Sequence, residues 1–196
     1  MSNNAKLLIF LIVFSVVARL AASYLSKRRS RLHKNAGAKL MPSETYLGLR
    51  QQVLQGLRGK ADLPTSGKPT EPYAILMDWN TGNGIATVVA VADGTASVYL
   101  SSGGGSLGGS QAHAEIREAA VKAVALAAEF QPQMHPVATY PLPESGGVTF
   151  YAITDAGVYS SAGSAKELAV QSHPLSRLGN MMQNIVTQYR VLQTGR

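Results

Sequence analysis

The residues best suited to catalysis lie in one glycine-rich stretch, residues 101–117, with the sequence SSGGGSLGGSQAHAEIR. Within it, Gly104-x-Ser106-x-Gly108 has the spacing of a nucleophile elbow, which holds a serine hydroxyl on a sharp turn between a strand and a helix. Asp155 and His173 follow in the chain order in which such hydrolases carry the acid and the base. However, Gly109 and Ser110 separate the pattern from the next helix, and the chain is short for the usual parallel sheet. No catalytic set is therefore assigned, and a small serine hydrolase using Ser106, Asp155 and His173 is the alternative.

The same stretch contains Gly103-x-Gly105-x-x-Gly108, the spacing of a dinucleotide-binding loop. That function also needs a parallel strand–helix–strand unit and an acidic residue about 20 positions later at the end of a strand. The strand before this stretch is predicted to be half of a hairpin, and Glu129 falls within a predicted helix. No nucleotide and no other cofactor is expected.

A glycine-rich loop that opens a helix also presents free backbone N–H groups and the positive end of the helix dipole. His113 and Arg117 are i,i+4 neighbours at the start of that helix. Together with Gly103, Gly104 and Gly105 they form a candidate site for a phosphate, a carboxylate or a partner's acidic side chain. The competing interpretation is an ordinary helix start, because Glu115 and Glu118 already complement the dipole. An anion-binding sensor is thus a second alternative function.

Metal chemistry has little support in the sequence. The chain has no cysteine, which excludes disulfides, cysteine-ligated zinc and thiol catalysis, and its 4 histidines show no ligand spacing. Residues 78–84 are similar to the start of a calcium-binding loop, but Gly82 and Val89 occupy positions where that loop needs ligands. We interpret these residues as a tight polar turn after a strand, and no metal is expected.

The charge distribution separates the chain into two parts. The formal net charge is +7, yet 12 of the 18 Lys and Arg residues precede residue 71, where only Glu44 and Asp62 are acidic. From residue 71 onward, 9 acidic residues outnumber 6 basic ones. A nucleic-acid-binding domain carries its positive charge on the folded part. The sequence therefore excludes nucleic acid as the expected partner and assigns the positive charge to an N-terminal arm.

The first 26 residues are predicted to be a single-pass transmembrane anchor of the signal-anchor type. Residues 7–18 are apolar and uncharged, and residues 20–25 extend this run past Arg19. As a helix, residues 7–25 would span about 28 Å, close to the hydrocarbon thickness of a bilayer. The alternatives are a signal peptide cleaved near Ala21-Ala22-Ser23, which would export the protein, and a mitochondrial presequence.

Residues 27–42 form a basic juxtamembrane segment that predicts the orientation of the chain. Positive charge stays on the cytoplasmic side of a membrane, so the C-terminal domain is expected in the cytosol. Each basic residue near anionic headgroups contributes about 1 kcal/mol of attraction. The residues assigned to lipid headgroups are Arg19, Lys27, Arg28, Arg29, Arg31 and Lys34.

Periodicity and turn residues predict the elements of the remaining chain. Residues 43–58 form an amphipathic helix capped by Ser43, and residues 59–72 form a linker that leaves open whether this helix docks on the domain. Residues 73–196 form the soluble domain. Its predicted strands are 73–79, 85–92, 95–101, 137–140, 148–154 and 157–161, and its predicted helices are 111–130, a short helix with a capping box at Ser164–Glu167, and 175–192.

The order of these elements predicts an α+β fold, with an antiparallel sheet of five to six strands and helices packed on one face. In element order alone, it resembles roadblock-type and profilin-like domains. The segments AVADGTASVYLSSGG and AITDAGVYSSAGS are also similar, which raises the hypothesis of a duplicated strand–strand–helix unit.

With no convergent acid–base set, the sequence favours a non-catalytic, membrane-tethered cytosolic module for protein interaction or assembly. Its expected partners are membrane lipid and another protein, or a second copy of itself.

Overall fold

The computed structural model describes residues 41–56, 67–108 and 113–194. The predicted anchor, almost all of the basic juxtamembrane segment and most of the linker lie outside the described residues. In the described part of the chain, no helix combines the length and the apolar character needed to cross a membrane.

The described residues lie in one compact α+β unit with seven strands and four α-helices. The helices are α1 (Glu44–Gly56), α2 (Ala114–Phe130), α3 (Ala165–Leu168) and α4 (Ser176–Thr194). The strands are β1 (Pro72–Asn80), β2 (Ile85–Val91), β3 (Ala96–Leu100), β4 (Gly105–Leu107), β5 (His135–Val137), β6 (Gly147–Thr154) and β7 (Gly157–Ser164). A 3-10 turn (Gln131–Gln133) follows α2.

The strands form one sheet in the order β4-β3-β2-β1-β6-β7-β5, and every neighbouring pair is antiparallel. The central strand β1 has seven consecutive buried residues, Pro72 to Asp78. A strand buried on both faces has a continuous apolar sequence rather than an alternating one, which fits the run YAILM. The predicted class is confirmed, with more strands than expected because β4 is a short edge strand.

The two long helices α2 and α4 cover one face of the sheet. Ile116, Ala120, Ala123 and Ala127 of α2 are fully buried at helical spacing. They pack in one core with Leu178, Met182 and Ile185 of α4 and with alternate residues of the strands, including Ile75, Val88 and Phe150. Small alanines along α2 allow the helix to approach the sheet closely.

The helix α1 covers the opposite face, so the prediction that the helices pack on one face is wrong. Tyr46, Val53 and Leu54 of α1 form a second core with strand residues that include Leu76, Val89, Tyr151 and Ile153. These α1 residues, with Arg50, recur at i, i+4, i+7 and i+8, which is the spacing of one helix face. Because this face is buried, α1 belongs to the same compact unit as the sheet and is not a spacer beside it.

The two hairpins with similar sequences are not copies of one unit. Because β2 and β6 both run antiparallel to β1, they run in the same direction. However, β3 lies beside β2 toward one edge of the sheet, and β7 lies beside β6 toward the other edge. Since α2 and α4 cover the same face, the two strand–strand–helix units have opposite hands, and no rotation superimposes them. Accordingly, Val98 and Tyr159 contact the core under α2 and α4, while Tyr99 and Val158 contact the core under α1. The duplication hypothesis is wrong.

Local signals at turns and caps are confirmed. Ser43 accepts a hydrogen bond from the Tyr46 N–H, and Asp93 in the β2–β3 turn accepts one from the Thr95 N–H. Ser164 and Glu167 form the predicted capping box of α3. The strand expected at 137–140 instead ends at Val137, so it lies nearer the end of α2 than predicted.

Candidate functional site

The structure does not bring Ser106, Asp155 and His173 together. Ser106 lies on β4, five strands away from β7, which corresponds to about 24 Å. Asp155 is in the β6–β7 turn, and His173 packs beside Gly163 at the other end of β7. The Nδ1 atom of His173 accepts a hydrogen bond from the Leu175 N–H, so the imidazole serves the chain entering α4.

Residues 101–108 of the glycine-rich stretch form a turn and a short edge strand, where the sequence predicts a loop, and α2 begins at Ala114. Residues 101–104 turn the chain after β3, and Gly105 begins β4 opposite Tyr99. Gly105 has a φ of +148°, and a Cβ atom there would collide with the Val98 carbonyl oxygen. The glycine at position 105 is therefore explained by the close approach of β3 and β4.

The candidate anion-binding residues are divided between the two ends of β3. Gly103 and Gly104 follow the end of β3, whereas the side chain of Arg117 packs on Gly94, which precedes its start. The length of β3 places these ends about 17 Å apart. His113 is the N-cap of α2, and its side chain makes no capping hydrogen bond. The five residues therefore do not converge on one anion.

A buried ion pair joins α1 to the sheet. Arg50 and Asp78 are 4% and 0% exposed, and the Arg50 Nε and Nη2 atoms lie 2.8 Å and 2.6 Å from Asp78 Oδ2. The guanidinium also donates to the carbonyl oxygens of Tyr140 and Pro141 and lies over the Tyr151 ring, 5.4 Å from its centroid. Arg50 thus connects α1 with β1, β6 and the loop that precedes β6.

Two hydroxyl groups complete this network. The Thr87 hydroxyl donates to Asp78 Oδ1, and its oxygen lies 2.8 Å from the Tyr46 hydroxyl. Since a hydroxyl has one proton to donate, Tyr46 is the donor to Thr87. Burial, with the nearby Asp78 carboxylate, raises the pKa of Tyr46 to about 12, so this hydroxyl keeps its proton at neutral pH.

The pKa shifts of Asp78 and Arg50 have opposite effects on the charged form of the ion pair. Burial raises the pKa of the Asp78 carboxyl group, against the lowering effect of Arg50 and Thr87, which disfavours the charged pair. Burial lowers the pKa of Arg50, but Asp78 outweighs this effect and the net shift is upward, which favours the charged pair. The donors that surround both oxygens of Asp78 favour the ionised form.

We name Tyr46, Arg50, Asp78 and Thr87 the buried network. Among the described residues, no buried side-chain nitrogen or oxygen lacks a hydrogen-bond partner. A closed network with satisfied partners holds α1 in place but offers no group to a substrate. Sequence reasoning missed it, because Arg50 was counted with the basic arm and Asp78 with a calcium-like turn.

A concave site with a largely apolar lining lies on the other face, where the ends of β1, β2 and β3 extend past α4. This cavity, named the end cavity, has a volume of about 490 Å³. Its sheet side has two rows across three strands, Trp79–Ala86–Leu100 and Met77–Val88–Val98. The small side chain of Ala86 between Trp79 and Leu100 leaves the space that the cavity occupies.

The helix side of the end cavity is more polar than these two rows, and the turns at the strand ends add the polar residues Thr81, Asn83, Ser101 and Ser102. Gln183, Val186, Thr187 and Arg190 of α4 line it, at the spacing of one helix face. Arg190 is the only charged residue among the described residues that line the cavity. Trp79 is the only tryptophan of the whole chain. Nothing in the sequence marks Trp79 as a cavity residue, because strand pairing decides which ends of strands stay uncovered.

Comparisons with known proteins leave the chain without an assigned family: no protein-family profile, no curated protein and no solved structure matches it. Within the described ranges, no group of three or more His, Cys, Asp or Glu residues is arranged to hold a metal ion. The case for a function therefore depends on the geometry of the end cavity and of the buried network.

Proposed function

We propose that this protein is a non-catalytic binding module, tethered to a membrane by its N-terminal segment with the folded unit in the cytosol, and that the end cavity is its binding site. The observation that carries the proposal is the cavity itself. Its volume of about 490 Å³ falls in the range of roughly 300–1,000 Å³ that is typical of ligand sites. Its lining, in which apolar side chains are accompanied by polar groups from α4 and from the strand ends, is also typical of such sites.

The arrangement of reactive side chains supports a non-catalytic function. Ser106, Asp155 and His173 lie in three separate places, and the buried network is closed to solvent. The lining of the end cavity has hydroxyl and amide groups but no carboxylate, histidine or lysine among the described residues. General acid–base catalysis needs a titratable group in contact with the substrate, and this cavity offers only an arginine.

The membrane and cytosolic parts of the proposal rest on the sequence. Their support is the apolar run of residues 7–25 followed by the basic residues 27–34. Protease treatment of intact cells and of inverted membrane vesicles tests the orientation. We expect cleavage of the folded unit in inverted vesicles only, whereas cleavage in intact cells would contradict the cytosolic placement.

Binding of a protein partner, or of a second copy of this chain, stays a prediction from the sequence. The similarity in element order to roadblock-type and profilin-like domains identifies no residue that would bind such a partner. What the cavity adds is a defined place at which binding can be blocked.

Substitution of Thr187 blocks the cavity without altering the core. Thr187 is exposed on α4 and lines the cavity, so Thr187→Phe places a ring over it at little cost to stability. The matched control is Val191→Phe, four residues further along α4 at a position that is 58% exposed. Full-length protein is purified from its membranes, and the molecules it retains are identified by native mass spectrometry.

We expect a retained molecule in the wild type and in Val191→Phe that is lost in Thr187→Phe. Equal retention in all three proteins, or no retained molecule in any of them, would contradict the end cavity as the binding site.

A further inference from the structure

The turn between β1 and β2 contains the one Asn-Gly pair of the chain, Asn83-Gly84. An asparagine followed by glycine is the pair most prone to deamidation, because glycine has no side chain to hinder its backbone nitrogen. In this reaction the nitrogen attacks the side-chain amide carbon of the asparagine. The reaction also requires a side chain that can rotate and a backbone N–H group that is not hydrogen-bonded, and both depend on the fold.

The structure leaves both groups at this turn available. Asn83 is exposed, and its side-chain amide makes no hydrogen bond within the described residues. The turn is closed through the Gly84 carbonyl oxygen, which accepts from the Thr81 N–H and from the Thr81 hydroxyl. The Gly84 N–H donates to no acceptor in the described part of the chain. Neither reacting group is therefore held by another hydrogen bond.

The β2–β3 turn shows the opposite arrangement at Asp93-Gly94. The Gly94 N–H donates to the Val91 carbonyl oxygen at 2.9 Å, and Asp93 Oδ1 accepts from the Thr95 N–H at 2.7 Å. The side chain of Arg117 also packs on Gly94. The side chain and the glycine nitrogen of this turn are thus fixed by hydrogen bonds that a ring closure would have to break.

We propose that Asn83 is a site of spontaneous deamidation, which places a carboxylate in the lining of the end cavity. The Gly84 nitrogen bonds to the Asn83 Cγ atom, and the side-chain nitrogen leaves as ammonia with the proton of the Gly84 N–H group. Water then opens the resulting succinimide ring at either carbonyl carbon, which gives aspartate or isoaspartate. Asn83 lines the end cavity, so either product adds a negative charge there.

Mass spectrometry of the full-length protein tests the proposal without a ligand, so the outcome is independent of the proposed function. Purified protein is aged at neutral pH in isotopically labelled water and digested with pepsin at acidic pH, where deamidation is slow. Each deamidation exchanges the lost amide nitrogen for one oxygen atom of the labelled water. Isoaspartate is detected by enzymatic methylation of its free α-carboxyl group.

We expect Asn83 to convert at least about tenfold faster than the described asparagines that precede a residue with a side chain. These are Asn80, Asn180 and Asn184. Isoaspartate should appear together with aspartate at residue 83. In Asn83→Gln this mass change should be absent, because the longer side chain closes the corresponding ring far more slowly.

The matched control is Asp93→Asn, which places a second Asn-Gly pair in the turn whose glycine N–H is bonded. The amide oxygen of asparagine accepts the Thr95 N–H as the carboxylate does, so the turn is retained. In the folded variant Asn83 should convert at least about tenfold faster than residue 93, since ring closure at residue 93 first breaks hydrogen bonds. In guanidinium chloride, where both turns are unfolded, the two residues should convert at similar rates.

Either of two results would overturn the proposal. If Asn83 converts no faster than the other asparagines of the folded protein, although it does so in the unfolded chain, the turn protects it. If residue 93 converts as fast as Asn83 in the folded variant, the unbonded Gly84 N–H does not select the site.

Discussion

The two faces of the sheet bury different chemistry. Under α1, an arginine, an aspartate and two hydroxyl groups form a buried network in which every polar atom has a partner. Under α2 and α4 the core is apolar, but the helices leave the ends of β1, β2 and β3 uncovered. The charged groups of the buried network thus fix α1 on the sheet, while the end cavity lies on the apolar face.

This difference separates stability from binding. A buried ion pair is useful for fixing one arrangement of elements, because a helix that shifted would leave charges unpaired. A cavity at the end of a sheet can bind a molecule without any rearrangement of that core. Substitutions on the α1 face should therefore change stability and leave binding intact, and substitutions at the end cavity should do the reverse.

The largest effect is expected from removing one charge of the buried network. Asp78→Ala leaves Arg50 buried without its counter-ion, and we expect a loss of about 3–5 kcal/mol in the free energy of unfolding. Urea unfolding followed by circular dichroism measures it. Glu129→Ala is the control, because the exposed Glu129–Arg177 pair should contribute less than about 1 kcal/mol.

Replacing both charges tests the reason for that loss. In Arg50→Met/Asp78→Leu no buried charge remains, so most of the stability lost in Asp78→Ala should return. A double variant as unstable as Asp78→Ala would contradict the role of the unpaired charge.

A smaller effect is expected from the raised pKa of Tyr46. The folded state keeps this proton up to about pH 12, whereas the unfolded chain releases it near pH 10. The stabilisation that this pKa shift gives the folded state is therefore complete below pH 10 and is lost as the pH rises through 12. The loss in the free energy of unfolding is at most about 3 kcal/mol. Tyr46→Phe should remove this part of the pH dependence, measured by urea unfolding at several pH values between 10 and 12.

Tyr99 and Tyr151 provide the internal comparison for that experiment. Burial raises the pKa of both, and both remain in the Tyr46→Phe variant. Some loss of stability at high pH should therefore persist. Identical pH profiles for the wild type and Tyr46→Phe would show that Tyr46 does not contribute.

Two adjacent residues of β2 make the sharpest matched pair, since Ala86 lines the end cavity and Thr87 belongs to the buried network. Thr87→Val removes a partner of both Tyr46 and Asp78 and should cost about 1–3 kcal/mol while ligand binding is unchanged. Ala86→Leu fills the cavity and should change stability by less than about 1 kcal/mol while binding is lost. Loss of binding in Thr87→Val without loss of stability would contradict the division between the faces.

The sequence predicted the main elements well, because their signals are local. The helical periodicity of residues 114–130, the Asp93-Gly94 turn and the Ser164–Glu167 capping box depend on neighbours within a few residues. The long strands β1, β2, β3, β6 and β7 were found within a few residues of their ends.

What the sequence did not predict depends on long-range pairing. The Arg50–Asp78 pair joins residues 28 positions apart, and Arg50 reaches the Tyr140 carbonyl oxygen 90 positions away. No periodicity indicates which face of a central strand a docked helix will cover. The glycine-rich stretch was assigned to a helix start because a turn followed by a three-residue edge strand has almost no pattern of its own.

Hydrogen–deuterium exchange of the full chain, with and without the molecule that the wild type retains, tests the division between the two faces most directly. The account predicts that the ligand slows exchange in α4 around residues 183–190 and at the end of β3, and leaves α1 unchanged. Slower exchange in α1 with no change in α4 would place the ligand under the wrong helix and contradict the account.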